Sequence, residues 1–152
     1  MISPSATSPG LTTLDDNGYF FRTAPSDARG GQILADITKD RKVKSVAITY
    51  TNNDYGKGLA DVYKAAVEAH GIKVTTVTAH EDGKADYSSE VATLASAGGD
   101  AVTVIGYLVQ GGKGIIQASL DSGAFDRFIL SDGMIGQSLA VSYTHLTLPT
   151  KA

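Results

Sequence analysis

The chain of 152 residues contains no cysteine. Disulfide frameworks, thiolate metal sites and cysteine nucleophiles are therefore excluded together. Its three histidines, His70, His80 and His145, form no i, i+4 pair of the kind that binds zinc on a helix. No Gly-x-Ser-x-Gly segment or serine, histidine and acid arrangement is recognisable either. We therefore expect no metal site, no cofactor and no enzymatic activity.

Long apolar runs and a strong charge bias are also missing. No apolar run approaches the ~20 residues that cross a bilayer, and no basic region followed by an apolar stretch opens the chain. The net charge of -3 supplies no broad basic field for nucleic acid or an anionic membrane. With 42% hydrophobic residues, the chain suits one globular domain without nucleic-acid partners or a direct membrane span.

Helical periodicity is strongest before Gly71, where five apolar residues share one face: Leu59, Val62, Tyr63, Ala66 and Val67. A helix over about 26–40 is predicted to begin at Ser26 or Asp27. The apolar residues that we expect it to turn inward are Ile33, Leu34 and Ile37. Two more helices are predicted over about 87–97 and 112–122, each ending at a glycine.

Short runs rich in β-branched residues separate these helices, over 45–50, 73–78, 101–105 and 128–130. Two of them are almost continuously apolar or β-branched, which is typical of strands covered by helices on both faces. Strands and helices alternate strictly along the chain. The predicted fold class is therefore α/β, with a doubly wound parallel sheet.

Ligands of such sheets bind beyond the carboxyl ends of the strands. Tyr55, Tyr107 and Asp132 follow three of the predicted strands, and Ser5 and Thr7 lie in a hydroxyl-rich loop near the start. This set suits a zwitterion, because the hydroxyls and loop amides could bind a carboxylate while Asp132 meets an ammonium. Tyr107 could hydrogen-bond the polar end, and the Tyr55 ring could cover an aliphatic side chain.

Each of these assignments has a plainer alternative. Asp132 and Gly133 form a common turn pair, the two tyrosines could simply pack, and residues 3–9 could be a disordered leader. Asp54 is interpreted as the N-cap of a helix rather than as a ligand. The glycine-rich segment 111–114 lacks the glycine spacing and the Lys-Ser/Thr pair of a phosphate loop, so a flexible helix entry is the ordinary reading.

Three segments together resemble the type I periplasmic binding proteins of the Leu/Ile/Val-binding kind. They are Ser3-Pro4-Ser5-Ala6-Thr7-Ser8-Pro9, Tyr19-Phe20-Phe21-Arg22-Thr23-Ala24-Pro25-Ser26-Asp27 and Asn53-Asp54-Tyr55-Gly56-Lys57-Gly58. The resemblance spans about 2–140 and implies two Rossmann-like lobes that close over a ligand. It assigns 1–18 to the first lobe with its ligand loop, 19–27 to a hinge crossing and 28–140 to an incomplete second lobe.

The resemblance also implies a role for the site residues. Ser5 and Thr7 would bind the α-carboxylate and α-amino group, Tyr107 matches a ligand-contacting tyrosine, and Asp132 stands where an acid meets the ammonium. Many members have glutamate at that last position. The implied function is the solute-binding component of an ABC importer, with an amino acid as ligand and an ABC permease as partner.

Residues 141–152 depart from the family and resemble a translated sequencing adaptor, so we expect a non-native tail. We accordingly interpret the chain as a fragment of a periplasmic or extracytoplasmic protein whose signal peptide lies outside it. The alternative is a ligand-sensing domain of a receptor or transcription regulator with the same lobe fold. A flavodoxin-like enzyme domain would need a cofactor loop after a strand, and none is recognisable.

Overall fold

The computed structural model describes residues 1–142. The predicted non-native tail therefore lies, from residue 143 onward, outside the described residues. Within them, four strands form the main sheet, five α-helices are present and two short strands pair near the start. The strands are β1 (Ile2–Ser3), β2 (Phe21–Arg22), β3 (Ser45–Thr51), β4 (Lys73–His80), β5 (Ala101–Ile105) and β6 (Phe128–Leu130); the helices are α1 (Asp27–Asp40), α2 (Asp54–Ala69), α3 (Ser88–Ala97), α4 (Lys113–Ser122) and α5 (Gln137–Ser142).

The main sheet is parallel throughout, in the order β4-β3-β5-β6. From β3 the chain moves first to one neighbour, β4, and then to the other, β5. The sheet therefore has its switch point between the carboxyl ends of β3 and β5, where open α/β sheets bind ligands. The predicted α/β class with a parallel sheet is confirmed, and β5 and β6 have the bounds that the sequence indicates.

Two apolar clusters cover the two faces of this sheet. α1 and α2 pack on one face, and α3 and α4 pack on the other. The first cluster contains a buried polar relay, in which the Tyr63 hydroxyl lies 2.9 Å from Thr38 Oγ1 and 2.8 Å from Thr103 Oγ1. Because a buried hydroxyl without a partner costs about 1–3 kcal/mol, this relay specifies how α1, α2 and β5 meet.

Side-chain caps fix the starts of α1 and α2. Ser26 Oγ accepts from Ala28 N at 3.2 Å, and Asn53 Oδ1 accepts from Gly56 N at 2.9 Å. The N-cap of α2 is therefore Asn53, and Asp54 is the first residue of the helix rather than its cap. An acid in the first turn is favourable there because it faces the positive end of the helix dipole.

The predicted inward face of α1 is wrong at two of its three positions. Ile33 and Ile37 are 47% and 42% exposed, and Leu34 is half-buried. The helix instead turns Gly31, Ala35 and Thr38 toward α2. Small residues allow the two helices to approach closely, and this contact displaces the isoleucine stripe to the wall of a groove.

None of the helices within 1–142 combines the length and the apolar character that crossing a bilayer requires.

Two adjacent glycines of α1 give a matched test of this packing. A Cβ at Gly31 would lie 2.7 Å from Val62 Cγ1 and 3.0 Å from Tyr63 N, whereas one at Gly30 would meet only Asp27 Oδ1 at 3.4 Å. We expect Gly30→Ala to stabilise the chain by about 0.5–1 kcal/mol through helix propensity. Gly31→Ala is expected to destabilise it by about 1–3 kcal/mol through overpacking. Urea unfolding followed by circular dichroism measures both, and stabilisation by Gly31→Ala would contradict the close contact.

Candidate functional site

Two tyrosine rings meet at the switch point of the sheet. Tyr55 is the second residue of α2, and Tyr107 follows β5 after Gly106. Their centroids are 5.2 Å apart and their planes are inclined by 29°, which is a stacked arrangement. Offset stacking of this kind contributes about 0.5–1.5 kcal/mol beyond the burial of area. The structure thus brings together two residues that the sequence places after different strands.

Asp132 joins this ring pair through the Tyr55 hydroxyl. Tyr55 Oη donates to Asp132 Oδ1 at 3.0 Å and also lies 3.3 Å from Ser131 Oγ. Ser131 is buried, and its Oγ accepts from Gly106 N at 3.2 Å. Ser131, which the sequence does not single out, therefore links the ends of β5 and β6 beneath the site.

The hydroxyl-rich loop faces the same region. Ser5, Thr7 and Asp132 line one groove of about 1200 Å³, which continues along α1 past the isoleucine stripe. The amides of Ser5 and Ala6 lie 3.4 Å and 3.1 Å from Ser3 Oγ, so those two N–H groups are directed into the loop itself. The side-chain hydroxyls are left as the loop's contribution to the groove, and their ligand role stays a prediction.

Hydrogen bonds from Arg22 and Asp27 hold this loop in place. Arg22 Nη1 donates to the Ser8 carbonyl at 2.8 Å, and its second terminal nitrogen bonds Thr12 Oγ1. Asp27 N donates to the Thr7 carbonyl at 2.9 Å. The start of α1 is thereby hydrogen-bonded directly to Thr7, which the sequence predicts to bind the ligand.

Asp27 is a candidate that the sequence reading missed, because an acid at a helix start is explained by capping alone. It is 6% exposed, and its Oδ2 has no hydrogen-bond partner among the described residues. Burial raises the pKa of this carboxyl, as does the nearby charge of Asp132, while the Thr7 hydroxyl and Arg22 act in the opposite direction. An unsatisfied buried oxygen on the groove wall is suited to a donor from outside the chain.

The site has a negative electrostatic character. Burial raises the pKa of Tyr107, and the charges of Asp82, Asp132 and Asp27 raise it further. The pKa of Tyr55 is raised by burial too, with Asp132 and Asp27 among the lesser causes. Both phenols therefore remain protonated donors at neutral pH, beside acids that favour a cationic group.

Comparison with known proteins shows the family to which the chain belongs. The model for the receptor family ligand binding region matches residues 1–148. The chain belongs to that family. Its resemblance to type I periplasmic binding proteins of the Leu/Ile/Val-binding kind is confirmed by relatives in several bacteria.

Two of these relatives illustrate the level of similarity. Leu/Ile/Val-binding protein homolog 3 of Brucella melitensis is 38% identical over 113 residues, which cover 74% of this chain and 30% of the relative. Leu/Ile/Val-binding protein homolog 2 of Brucella abortus is 34% identical over 143 residues, covering 92% and 38%. The chain thus spans between a quarter and two fifths of the length of these relatives.

Solved structures agree on the fold. A substrate-binding protein of an ABC transporter from Desulfitobacterium hafniense, in complex with Leu, superposes with a TM-score of 0.68 at 27% identity over 88% of this chain and 39% of its own. A solute-binding protein from R. palustris in complex with 4-hydroxybenzoate gives a TM-score of 0.77 at 19% identity, over 89% and 37%. At that lower identity the likeness concerns the fold alone.

Asp27 provides a pH-dependent test of the site's electrostatics. Because its pKa is raised in the folded state, its contribution to stability is complete below its unfolded pKa of 3.8 and is lost as the pH rises through the folded value. We expect Asp27→Asn to stabilise the chain at pH 7, because the neutral amide avoids the cost of burying a charged carboxylate. The gain should shrink as the pH falls through the folded pKa and should vanish below the unfolded pKa of 3.8.

Urea unfolding at several pH values measures this difference. Asp61→Asn is the matched control, since Asp61 is an exposed acid on α2 away from the groove. Its effect should stay within about 0.5 kcal/mol at every pH. An equal gain from Asp27→Asn at pH 3.5 and pH 7 would contradict a buried ionised carboxylate.

Proposed function

We propose that this chain supplies one half of an amino-acid site in the solute-binding component of an ABC importer. The observation that carries the proposal is the Asp132 carboxylate, which the Tyr55 hydroxyl holds at 3.0 Å on the wall of a groove that also contains Ser5 and Thr7. The acid and the two hydroxyls line one groove, while Tyr55 and Tyr107 lie beside it rather than in its lining. An acid and two hydroxyls around one opening match the ammonium and carboxylate of a zwitterion.

In this proposal Asp132 and Asp27 receive the α-ammonium from two sides. Asp132 is exposed and already accepts one bond from Tyr55, whereas Asp27 is buried with one free oxygen. Thr7 is placed beside Asp27, since its carbonyl accepts from Asp27 N at 2.9 Å and its hydroxyl lowers the pKa of the Asp27 carboxyl. Ser5 takes the α-carboxylate, and the stacked Tyr55 and Tyr107 rings cover the apolar part of the ligand.

The proposed mechanism is closure of two lobes over the ligand. Residues 1–18 belong to the first lobe, 19–27 cross the hinge and 28–140 belong to the second. A ligand that contacts both Thr7 and Asp132 stabilises the closed form because it has fewer contacts in the open one, and so it shifts the population. No bond is made or broken, which agrees with the solute-binding proteins among the relatives.

The amino-acid ligand is supported by what the relatives' names and titles state. A Pseudomonas aeruginosa relative is a leucine-, isoleucine-, valine-, threonine- and alanine-binding protein, and one structural neighbour contains Leu. We extend this to a branched-chain or related amino acid for the present chain, with an ABC permease as partner and a periplasmic or extracytoplasmic location.

A second candidate is the ligand-sensing domain of a receptor or transcription regulator. The matching family is described as a receptor ligand-binding region, which favours this alternative. Both functions use the same lobe and the same site. They differ in whether ligand binding is followed by docking to a permease or by a signal.

A chimera tests the proposed site. The segment of Leu/Ile/Val-binding protein homolog 2 that matches this chain over 143 residues is replaced by the residues of the present chain. We expect calorimetry to detect binding of a small aliphatic amino acid. Asp132→Ala should weaken it at least about 10-fold, because removing a charged partner costs about 1.5–3 kcal/mol.

The matched control in the chimera is Asp61→Ala, which removes an exposed acid on α2 and should leave the affinity within about twofold. No binding of any of the twenty amino acids by a folded chimera would contradict the proposed function. Equal losses from Asp132→Ala and Asp61→Ala would contradict the role of Asp132.

The 152-residue chain by itself should bind the same amino acid far more weakly than the chimera. Its groove is open along α1, and the ligand would lose the contacts that closure supplies. We expect no saturable heat below about millimolar concentrations, a binding free energy weaker than about -4 kcal/mol. Micromolar binding by this chain would instead mean that its own residues suffice.

A further inference from the structure

The glycine-rich segment 111–114 is explained by side-chain packing rather than by phosphate binding. A Cβ at Gly111 would lie 2.8 Å from Tyr87 Oη, and one at Gly114 would lie 2.6 Å from Tyr87 Cδ2. A Cβ at Gly112 would collide with the Met134 sulfur. Its three glycines are therefore explained by packing, because Tyr87 and Met134 fill the space that their side chains would occupy.

Tyr87 stands immediately before α3, away from the groove, and is 3% exposed. Its hydroxyl lies 2.9 Å from the Glu81 carbonyl and 3.2 Å from the Gln110 carbonyl, and it accepts from Lys84 N at 3.2 Å. Gly83 N donates to the same Gln110 carbonyl. Gln110 is thus held from one side by the segment that joins β4 to α3.

Gln110 belongs to the turn that presents Tyr107. The N–H groups of Gln110, Gly111 and Gly112 all lie within 3.1–3.3 Å of the Tyr107 carbonyl, forming a single π-helical turn over Leu108–Gly112. A change in the position of Gln110 is therefore transmitted to the backbone of Tyr107. The Tyr107 ring in turn stacks on Tyr55, which bonds Asp132.

We propose that Tyr87 is a positioning residue for the binding site, acting through the Gln110 carbonyl to fix the ring of Tyr107 against Tyr55. The inference rests on the proposed function in one respect, that the ring pair contacts a ligand. The positioning of Tyr107 by Tyr87 is a property of the chain without a ligand. Tyr87 is not among the residues that line the groove, so its effect on the site is indirect.

Tyr87→Phe removes the hydroxyl and keeps the ring. We expect the ring resonances of Tyr107 and Tyr55, followed by nuclear magnetic resonance with labelled tyrosine and assigned through Tyr107→Phe and Tyr55→Phe, to shift or broaden in this variant. The experiment uses the 152-residue chain without an amino acid. Its result is therefore independent of whether the protein binds one.

Tyr63→Phe is the matched control. Tyr63 is also buried and its hydroxyl has two hydrogen-bond partners, against three for Tyr87, but it lies on the opposite face of the sheet, between α1, α2 and β5. Both variants should unfold at lower urea concentrations than the parent chain, since each leaves buried polar groups without a partner. Only Tyr87→Phe should change the resonances of Tyr107.

Gly111→Ala provides a second route if Tyr87→Phe does not fold. It keeps the hydroxyl but presses a methyl group against it, and the same Tyr107 resonances should shift. Unchanged Tyr107 signals in a folded Tyr87→Phe or Gly111→Ala variant would overturn the proposal, as would an equal change in Tyr63→Phe. A chimera that binds no amino acid would contradict the proposed function, while the Tyr107 resonances would still decide the role of Tyr87.

Discussion

The parallel pairing of β3 with β5 is the constraint on which the candidate site depends. It runs from Val46 opposite Ala101 to Tyr50 opposite Ile105, so both strands end at the same edge. Beyond that edge the chain turns into α2 on one side and into the π-helical turn on the other. The divergence opens a crevice, and Tyr55 and Tyr107 stack across it. A register change in this one pair would separate the rings and release Asp132 from its hydroxyl partner.

Much of the fold could be predicted from the sequence, because alternating strand and helix patterns leave few topologies to consider. The orientation of α1 could not. Apolar periodicity predicts that Ile33 and Ile37 face inward. It contains no information on how closely two helices approach, and the neighbouring stripe of Gly31 and Ala35 permits a closer approach to α2. Which stripe packs is decided by the shape of the partner helix, and a single helix carries no information about that shape.

The candidate site, like the fold, could be predicted from the sequence only in part. The rule that ligands bind beyond strand ends selected Tyr55, Tyr107 and Asp132, and the structure brings these three together through one stack and one hydrogen bond. Asp27 and Ser131 could not be predicted from the sequence, because their importance depends on tertiary contacts. Asp27 matters through its buried carboxylate on the groove wall, and Ser131 through the amide of Gly106. Neither contact leaves a periodic or spacing signal in the chain.

Gly58, on the first turns of α2, faces the loop that carries Ser5 and Thr7. A Cβ at this position would lie 3.0 Å from Pro9 Cδ and 3.4 Å from Ser8 Oγ. Any larger residue would press the loop outward, because Pro9 has little freedom to yield. The identity of residue 58 is consequently coupled to that of residues 8 and 9. Among homologous chains these positions should covary, so that evolution could retune the width of the opening through a residue that does not itself line the groove.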